Sequence, residues 1–501
     1  MPEQHAINRI VTPVSWPPEK TRTPARIAWL MPSLIEGSGG HRTILQNAQA
    51  LIDRGHECHL FVEHPGSDGP ESDHPDLARI RLQLADYFGY TDPNVHLGFR
   101  IPQGFDLVYA TAWYTAAFAA WSGVPRKAYF VQDFEALFMP MGDGYLMAEN
   151  SYRLGLTPVT IGRWLTQRLA HEFNSFGSYF DFCADHAIYR PLPEVERELA
   201  VVMICQPEKP RRCSRIGIEA LGIVKHHMPE VKIHLYGSKE RPDVWYDHEW
   251  HGLQDVAGCN HLYNRASVGL CISSSNPSRI PFEMMSAGLP VVDVHRHNNL
   301  FDQPDSAVLL AGARQVDIAA AVIELLRDGA RRERMARAGL SFMAERSLEY
   351  GFMQFIEATE AILAGRESDF VRVARGVQPM YRRAPVLGEP APAQPASIIA
   401  EGQKAAALAA SEARHVLAAT GELNAILASR SWRLLSGLKG LPPYSLLARL
   451  RWGPNWHAID PAEDPRARLA RVRSSRTYRF IQASKQNPLY RLYASWKYQG
   501  R

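Results

Sequence analysis

Residues 26–63 read "RIAWLMPSLIEGSGGHRTILQNAQALIDRGHECHLFVE". An apolar run, Arg26 to Met31, has the composition of a strand buried on both faces. A turn rich in glycine (Gly37, Gly39, Gly40) follows, then a segment with helical apolar spacing, then a second strand-like run from Glu57 to Glu63. A strand, a glycine turn and a helix in that order are the local plan of a parallel α/β sheet that holds an anion. Glycine lets a ligand approach the backbone, and the first N–H groups of the helix favour negative charge. The turn lacks the third glycine of G-x-G-x-x-G, where Arg42 stands, and Glu63 is the one acid placed for a ribose. A dinucleotide site is therefore disfavoured, while a glycine turn without a ligand stays open.

The same rhythm continues along the chain. "FDLVYATA" and "KAYFVQD" are further strand candidates, and "TPVTIGRWLTQRLAHEF" carries the apolar stripe of a helix. A second series begins at "ELAVVMIC" and runs through "RIGIEALGIVKHHMPE", "VKIHLYGS", "HLYNRASVGLCIS", "RIPFEMMSAG" and "LPVVDV". Two doubly wound α/β domains facing a cleft are expected. The expected division is a loose arm over residues 1–25, a first domain over 26–190 and a second, with its closing helices, over 191–368. A Pro/Ala-rich linker (369–400) and a helical, basic, aromatic extension (401–501) complete it.

With 501 residues, 46% hydrophobic and 22% charged, the composition is that of ordinary globular domains. No run of eighteen apolar residues predicts a transmembrane helix, and the N-terminus lacks the cationic start and apolar core of a secretory signal. The six cysteines are scattered without C-x-x-C, and the nineteen histidines form no H-E-x-x-H. Neither a disulfide frame nor a metal site is predicted. The net charge of +4 is uneven: residues 430–501 hold 15 Lys and Arg against 3 acids, leaving about −8 on the remainder.

Four stretches bear candidate chemistry. The first is the turn with Gly39 and Gly40. The second is "SSSNPSRIPFEMMSAGLPVVD" (273–293), a strand end leading to a helix that starts near Ile280 or Pro281, with Glu283 in its first turn. Such a helix start can hold a diphosphate, and Glu283 either accepts sugar or ribose hydroxyls or merely complements the helix dipole. The third, "QPEKPRRC" (206–213), concentrates Lys209, Arg211 and Arg212 at a strand-to-helix turn, suited to a diphosphate leaving group or simply to solubility. The fourth, "YFVQDFEALFMPMGDGY" (129–145), ends a strand with Gln132, Asp133 and Glu135, which can bind an acceptor or take its proton, or can cap a turn.

Taken together, these stretches resemble the family 4 glycosyltransferases of the GT-B fold, over about residues 26–365. The matching pieces are "GSGGHRTILQNAQALIDRGHECHLFV", "PEKPRRCSRIGIEAL" and "PSRIPFEMMSAGLPVVD", in order. Within that family the chain looks closest to the rhamnosyltransferase-like branch of cell-surface polysaccharide synthesis, O-antigens included. "ILASRSWRLLSGLKGL" is similar to a C-terminal element of such enzymes. The resemblance implies a nucleotide-diphosphate sugar as donor and a growing, lipid-linked glycan as acceptor. It implies a retaining transfer that needs no metal or other cofactor, and a cytoplasmic site at the inner face of the membrane. It places Gly39, Gly40, Ser275, Asn276, Arg279, Ile280, Pro281 and Glu283 on the donor, with Glu283 on its ribose. Asp133, Lys209 and Arg212 become the catalytic candidates, and Gln132 and Glu135 lie on the acceptor side.

Two departures stand out. The family's E-x7-E ends at Glu283, but its first position holds Ser275, and Gln132 occupies the place of the usual N-domain histidine. A glycan-assembly scaffold with weak catalysis, or a nucleotide-sugar epimerase, are the competing readings. The tail interleaves Trp432, Trp452, Trp456, Tyr478, Tyr490, Trp496 and Tyr498 with cations, as an anionic membrane surface or an assembly partner would favour. Packing against the chain's own acidic body is equally open, and no nucleic-acid module is present. The tail also repeats S-R-[ST]-[WY]-R, at Ser429–Arg433 and Ser475–Arg479.

Overall fold

The computed structural model describes residues 24–64, 75–389, 394–429, 431–433 and 464–487. The arm through Thr23, and Trp452, Trp456, Tyr490, Trp496 and Tyr498 of the tail, lie outside the described residues. Two compact units result, residues 1–399 and 400–501. The first contains two wholly parallel sheets. Strands β1 (Arg26–Met31), β2 (Glu57–Val62), β3 (Val95–Leu97), β4 (Leu107–Ala110), β5 (Arg126–Val131), β6 (Thr157–Ile161) and β7 (Ser178–Phe180) lie in the order β3-β2-β1-β4-β5-β6-β7. Strands β8 (Ala200–Ile204), β9 (Lys232–Tyr236), β10 (Glu249–Trp250), β11 (Val268–Leu270), β12 (Val291–Val294) and β13 (Val308–Ala311) lie in the order β10-β9-β8-β11-β12-β13.

Both orders reverse direction after their first strand, between β1 and β4 and between β8 and β11. At such a switch point the flanking connections leave toward opposite faces, opening a crevice at the carboxyl ends of the strands. The strands are apolar along their length because helices cover both faces: Trp29, Tyr109 and Phe130 are fully buried, and Trp29 stacks on Tyr109 at 4.5 Å. In the second sheet the helices Ser214–His227 and Gln315–Arg327 cover one face through Leu221, Val224, Val322 and Leu325. The helices Val256–Arg265 and Ile280–Ser286 lie between strands of this sheet in the sequence, as the pattern predicts.

Three expectations need correction. "TPVTI" is not the first turn of a helix but strand β6, and the helix begins at Arg163. Gly162 separates them with φ +80°, a conformation glycine adopts without strain. The second domain does not keep all its closing helices: Leu348–Leu363 returns to the first sheet. There Phe355 sits among Trp29, Tyr109, Phe130 and Phe180, with ring centroids 5.5–5.9 Å apart. The buried Thr359 and Tyr109 hydroxyls meet at 2.8 Å. Finally, residues 369–389 are packed rather than free. Asp369–Gly376 is helical, Tyr381 Oη accepts from Leu310 N, and Val386 pairs with Ala311 at the edge of β13.

The second unit contains the helix Gln394–Ala428 from residue 400 onward and the helices Pro465–Ser474 and Arg476–Gln486. Ala419, Leu423 and Leu469 form its core. The two S-R-[ST]-[WY]-R repeats behave alike: Ser429 Oγ accepts from Trp432 N at 3.3 Å, and Ser475 Oγ accepts from Tyr478 N at 3.2 Å. Each serine thus caps the start of a helical turn. Among the described residues no helix is long and apolar enough to cross a membrane.

Candidate functional site

The glycine turn after β1 ends at Ser38, whose Oγ caps the helix Gly39–Asp53 by accepting from His41 N. A Cβ on Gly39 would meet nothing within 4 Å, whereas one on Gly40 would lie 3.7 Å from the Gln132 amide. The helix start is therefore open at Gly39 and lined by Gln132 at Gly40. His41 is buried and bonded to Ser38 Oγ at 2.8 Å, and burial lowers its pKa, keeping the ring neutral. Glu63 does not stand free for a ribose: it accepts from Ser33 N and Oγ and from the Tyr114 hydroxyl, bracing the loop that follows β1.

Across the crevice, the loop after β11 rests on a buried polar support. Ser273 N and Oγ both donate to Asp293, at 2.8 and 2.6 Å, and Gln303 donates to the same carboxylate. The Asn298 and Asn299 amides donate to Ser273 O. Burial still pushes Asp293 up to about 6, because the desolvation of a fully enclosed carboxylate outweighs the hydrogen bonds it receives. Sequence reading missed this support. Its members come from separate connections, and only the adjacent asparagines hinted at a polar role.

The supported loop reaches the first domain at several points. Ser275 Oγ donates to Asp133 Oδ2 at 3.1 Å, and Asn276 Nδ2 donates to Gln132 O at 2.9 Å. Arg279 crosses to the glycine-loop helix, donating to Thr43 Oγ1 at 2.8 Å and to Cys183 O at 3.4 Å. Arg211 lies 3.7 Å from Asp133 Oδ2, with its guanidinium over the Phe138 ring. Arg212 donates to Ser278 Oγ at 2.9 Å, and Lys209 stands exposed beside it. Burial pushes Asp133 up to about 6, against the pull of Arg211 and Ser275. Glu135 is buried away from the rim, accepting from Trp113 N, and burial pushes it up to about 8.

Glu283 follows Ile280 and Pro281, both buried, in the helix that opens this lip. Burial raises its pKa, while Arg279, Arg42 and a hydrogen bond from Tyr189 favour the carboxylate. Arg42 and Tyr189 also escaped the sequence reading, since nothing in their local sequence links them to position 283. The Nε atoms of Arg42, Arg212 and Arg279 are buried without a hydrogen-bond partner. A buried donor left unpaired is costly, so guanidinium groups arranged in this way have unused capacity for an anion.

A second clamp joins the domains beside the crevice. Asp302 accepts from Arg163 N at 2.8 Å and Trp164 N at 3.2 Å, at the start of the helix that Gly162 releases. Burial pushes Asp302 up to about 7.

The paired parallel sheets, each with its switch point at a shared crevice, and a final helix returning to the first sheet decide the architecture. The fold is GT-B.

Comparison with known proteins agrees. Residues 199–323 match the family model described as "WsaF, C-terminal domain". Over 228 residues the chain is 28% identical to an O-antigen biosynthesis protein, RfbC, of Myxococcus xanthus; the match takes in 42% of this chain and 18% of that protein. Among solved structures, sucrose-phosphate synthase from Thermosynechococcus elongatus superposes with a TM-score of 0.52 at 14% identity, over 68% of this chain and 100% of that one. TarM superposes at 0.53 with 8% identity, over 68% and 99%. A TarM variant from S. aureus, in complex with Fondaparinux, alpha-GlcNAc-glycerol and UDP, superposes at 0.51 with 8% identity, over 68% and 99%. At these identities the structural likeness speaks for the fold.

Proposed function

We propose that this GT-B chain is a glycosyltransferase of cell-surface polysaccharide synthesis. It transfers a sugar from a nucleotide-diphosphate donor to a growing, lipid-linked glycan. The observation that carries this reading is the set of buried, unpaired guanidinium nitrogens of Arg42, Arg212 and Arg279 around Glu283, at the mouth of an open helix start. Cations suit the diphosphate, and a carboxylate among them suits the hydroxyls of the nucleoside. The UDP held by the similarly folded TarM variant and the O-antigen role named for RfbC support the donor class and the setting.

Arg211, Arg212 and Lys209 neutralise the charge that develops on the leaving diphosphate, which removes the need for a metal in the transfer. In the retaining course we favour, the departing phosphate takes the acceptor proton on the face it leaves. Asp133, Gln132 and the Ser275 loop hold donor and acceptor in line. With Ser275 where the family has a carboxylate, the sugar loses an acidic contact, in keeping with a deoxy sugar such as rhamnose. The extension over residues 401–501 holds the enzyme to an anionic membrane surface or an assembly partner, at the inner face of the cytoplasmic membrane.

The test is binding and turnover of a panel of nucleotide sugars by the full chain. One donor should bind, and Glu283→Ala should weaken it tenfold or more without loss of fold. Failure of every donor to bind, or unchanged binding by Glu283→Ala, contradicts the assignment.

A further inference from the structure

Away from the crevice, the edge of the second sheet gathers residues that no motif connects. His234 lies in β9 and is wholly buried; Glu249 pairs with it across the ladder in β10; His251 follows β10. His234 Nδ1 is 3.2 Å from His251 Nε2 and 3.4 Å from Glu249 Oε2, and His251 Nε2 is 3.9 Å from Glu249 Oε2. Atoms bound to one tetrahedral zinc ion at about 2.0–2.2 Å stand roughly 3.4 Å from each other. The three spacings match that figure to within about half an ångström.

Protonation makes the arrangement more telling. His234 Nε2 lies 3.4 Å from Glu198 Oε2, near its charge but not hydrogen-bonded to it. A proton on Nε2, on the side of Glu198, leaves Nδ1 as a bare lone pair toward His251 and Glu249. Three electron-pair donors then converge with at most one ring proton, on His251, to share among them. Arg265 fixes both carboxylates, donating to Glu249 at 3.0 and 3.4 Å and to Glu198 at 3.0 Å, and Lys232 lies 3.3 Å from Glu198. These cations hold the carboxylates in place and temper the attraction for a metal. His251 and Glu249 are only partly buried, which leaves a path for an ion and a position for water.

We propose that His234, His251 and Glu249 form a binding site for a zinc-class divalent ion. Two imidazoles and one carboxylate favour Zn²⁺ or Co²⁺ over Mg²⁺ or Ca²⁺, which prefer oxygen ligands. The ion would tie β10 to β9 at the sheet edge and takes no part in sugar transfer. Nothing in this proposal depends on the proposed function.

The test is titration of the untagged, chelator-treated full chain with Co²⁺. One equivalent should saturate and give the visible absorption of a tetrahedral ion, and one equivalent of Zn²⁺ should bleach it. His251→Gln and Glu249→Gln should each weaken binding at least tenfold. Far-UV circular dichroism checks that each variant is folded; if Glu249→Gln is not, His251→Gln decides alone. Absence of saturable binding overturns the proposal, as does binding that the folded variants leave unchanged.

Discussion

Asp133 is where a side chain of the first domain meets the chemistry of the second. Its carboxylate takes the Ser275 hydroxyl and lies beside Arg211, so it positions the loop and the cation together. Replacing it with Asn should lower transfer tenfold or more while donor binding stays within about twofold, read as a kcat loss without a matching change in KM. Asp302 bears on stability instead. Burial raises its pKa to about 7, so the folded state keeps a proton that the unfolded chain releases near 4. Its contribution is greatest at low pH and is lost as pH rises through about 7, on the order of a few kcal/mol at most. The urea midpoint should fall between about pH 5 and pH 8, and Asp302→Asn should flatten that fall. The positions of Gly39, Glu283 and the cations of 206–213 were legible, because each falls at a helix start or strand end that the local pattern marks. Arg42, Tyr189, Asp293 and Asp302 were not. Their roles depend on which distant segment faces them, and composition says nothing about that.

Among the elements, the returning helix Leu348–Leu363 bears most on the first domain. Phe355 is fully buried against four aromatic rings of the first sheet. Phe355→Ala should cost about 3–5 kcal/mol, seen as an earlier unfolding transition in urea. The sequence marked this segment as a closing helix of the second domain; local pattern could not say which sheet it closes, because both sheets offer apolar faces. β6 shows the opposite failure. "TPVTI" runs into "RWLTQRLAHEF" with apolar residues throughout, and periodicity alone cannot divide a buried strand from a helix. Gly162 was the available sign. Its positive φ, with Phe182 and Asp302 crowding the place of a side chain, marks where one element stops.

At the scale of the molecule, the two-sheet plan was legible from the alternation of strand and helix signals, since that pattern admits few other layered solutions. The basic extension is the other large feature, and its role was not legible beyond its charge. Deleting residues 401–501 should leave donor binding intact and reduce flotation with anionic liposomes; equal flotation would remove the membrane role. The path of the chain has a further consequence, for synthesis. The first sheet closes with β7 at Phe180, yet the helix that covers its aromatic face begins only at Leu348. At ribosomal speeds the delay between them is on the order of ten to thirty seconds. During that interval all the strands of the second sheet emerge while Trp29, Tyr109 and Phe130 still lack Phe355. The sheet begun first therefore waits for its cover until every strand of the second has been made, and its half-clad face is where a chaperone would act.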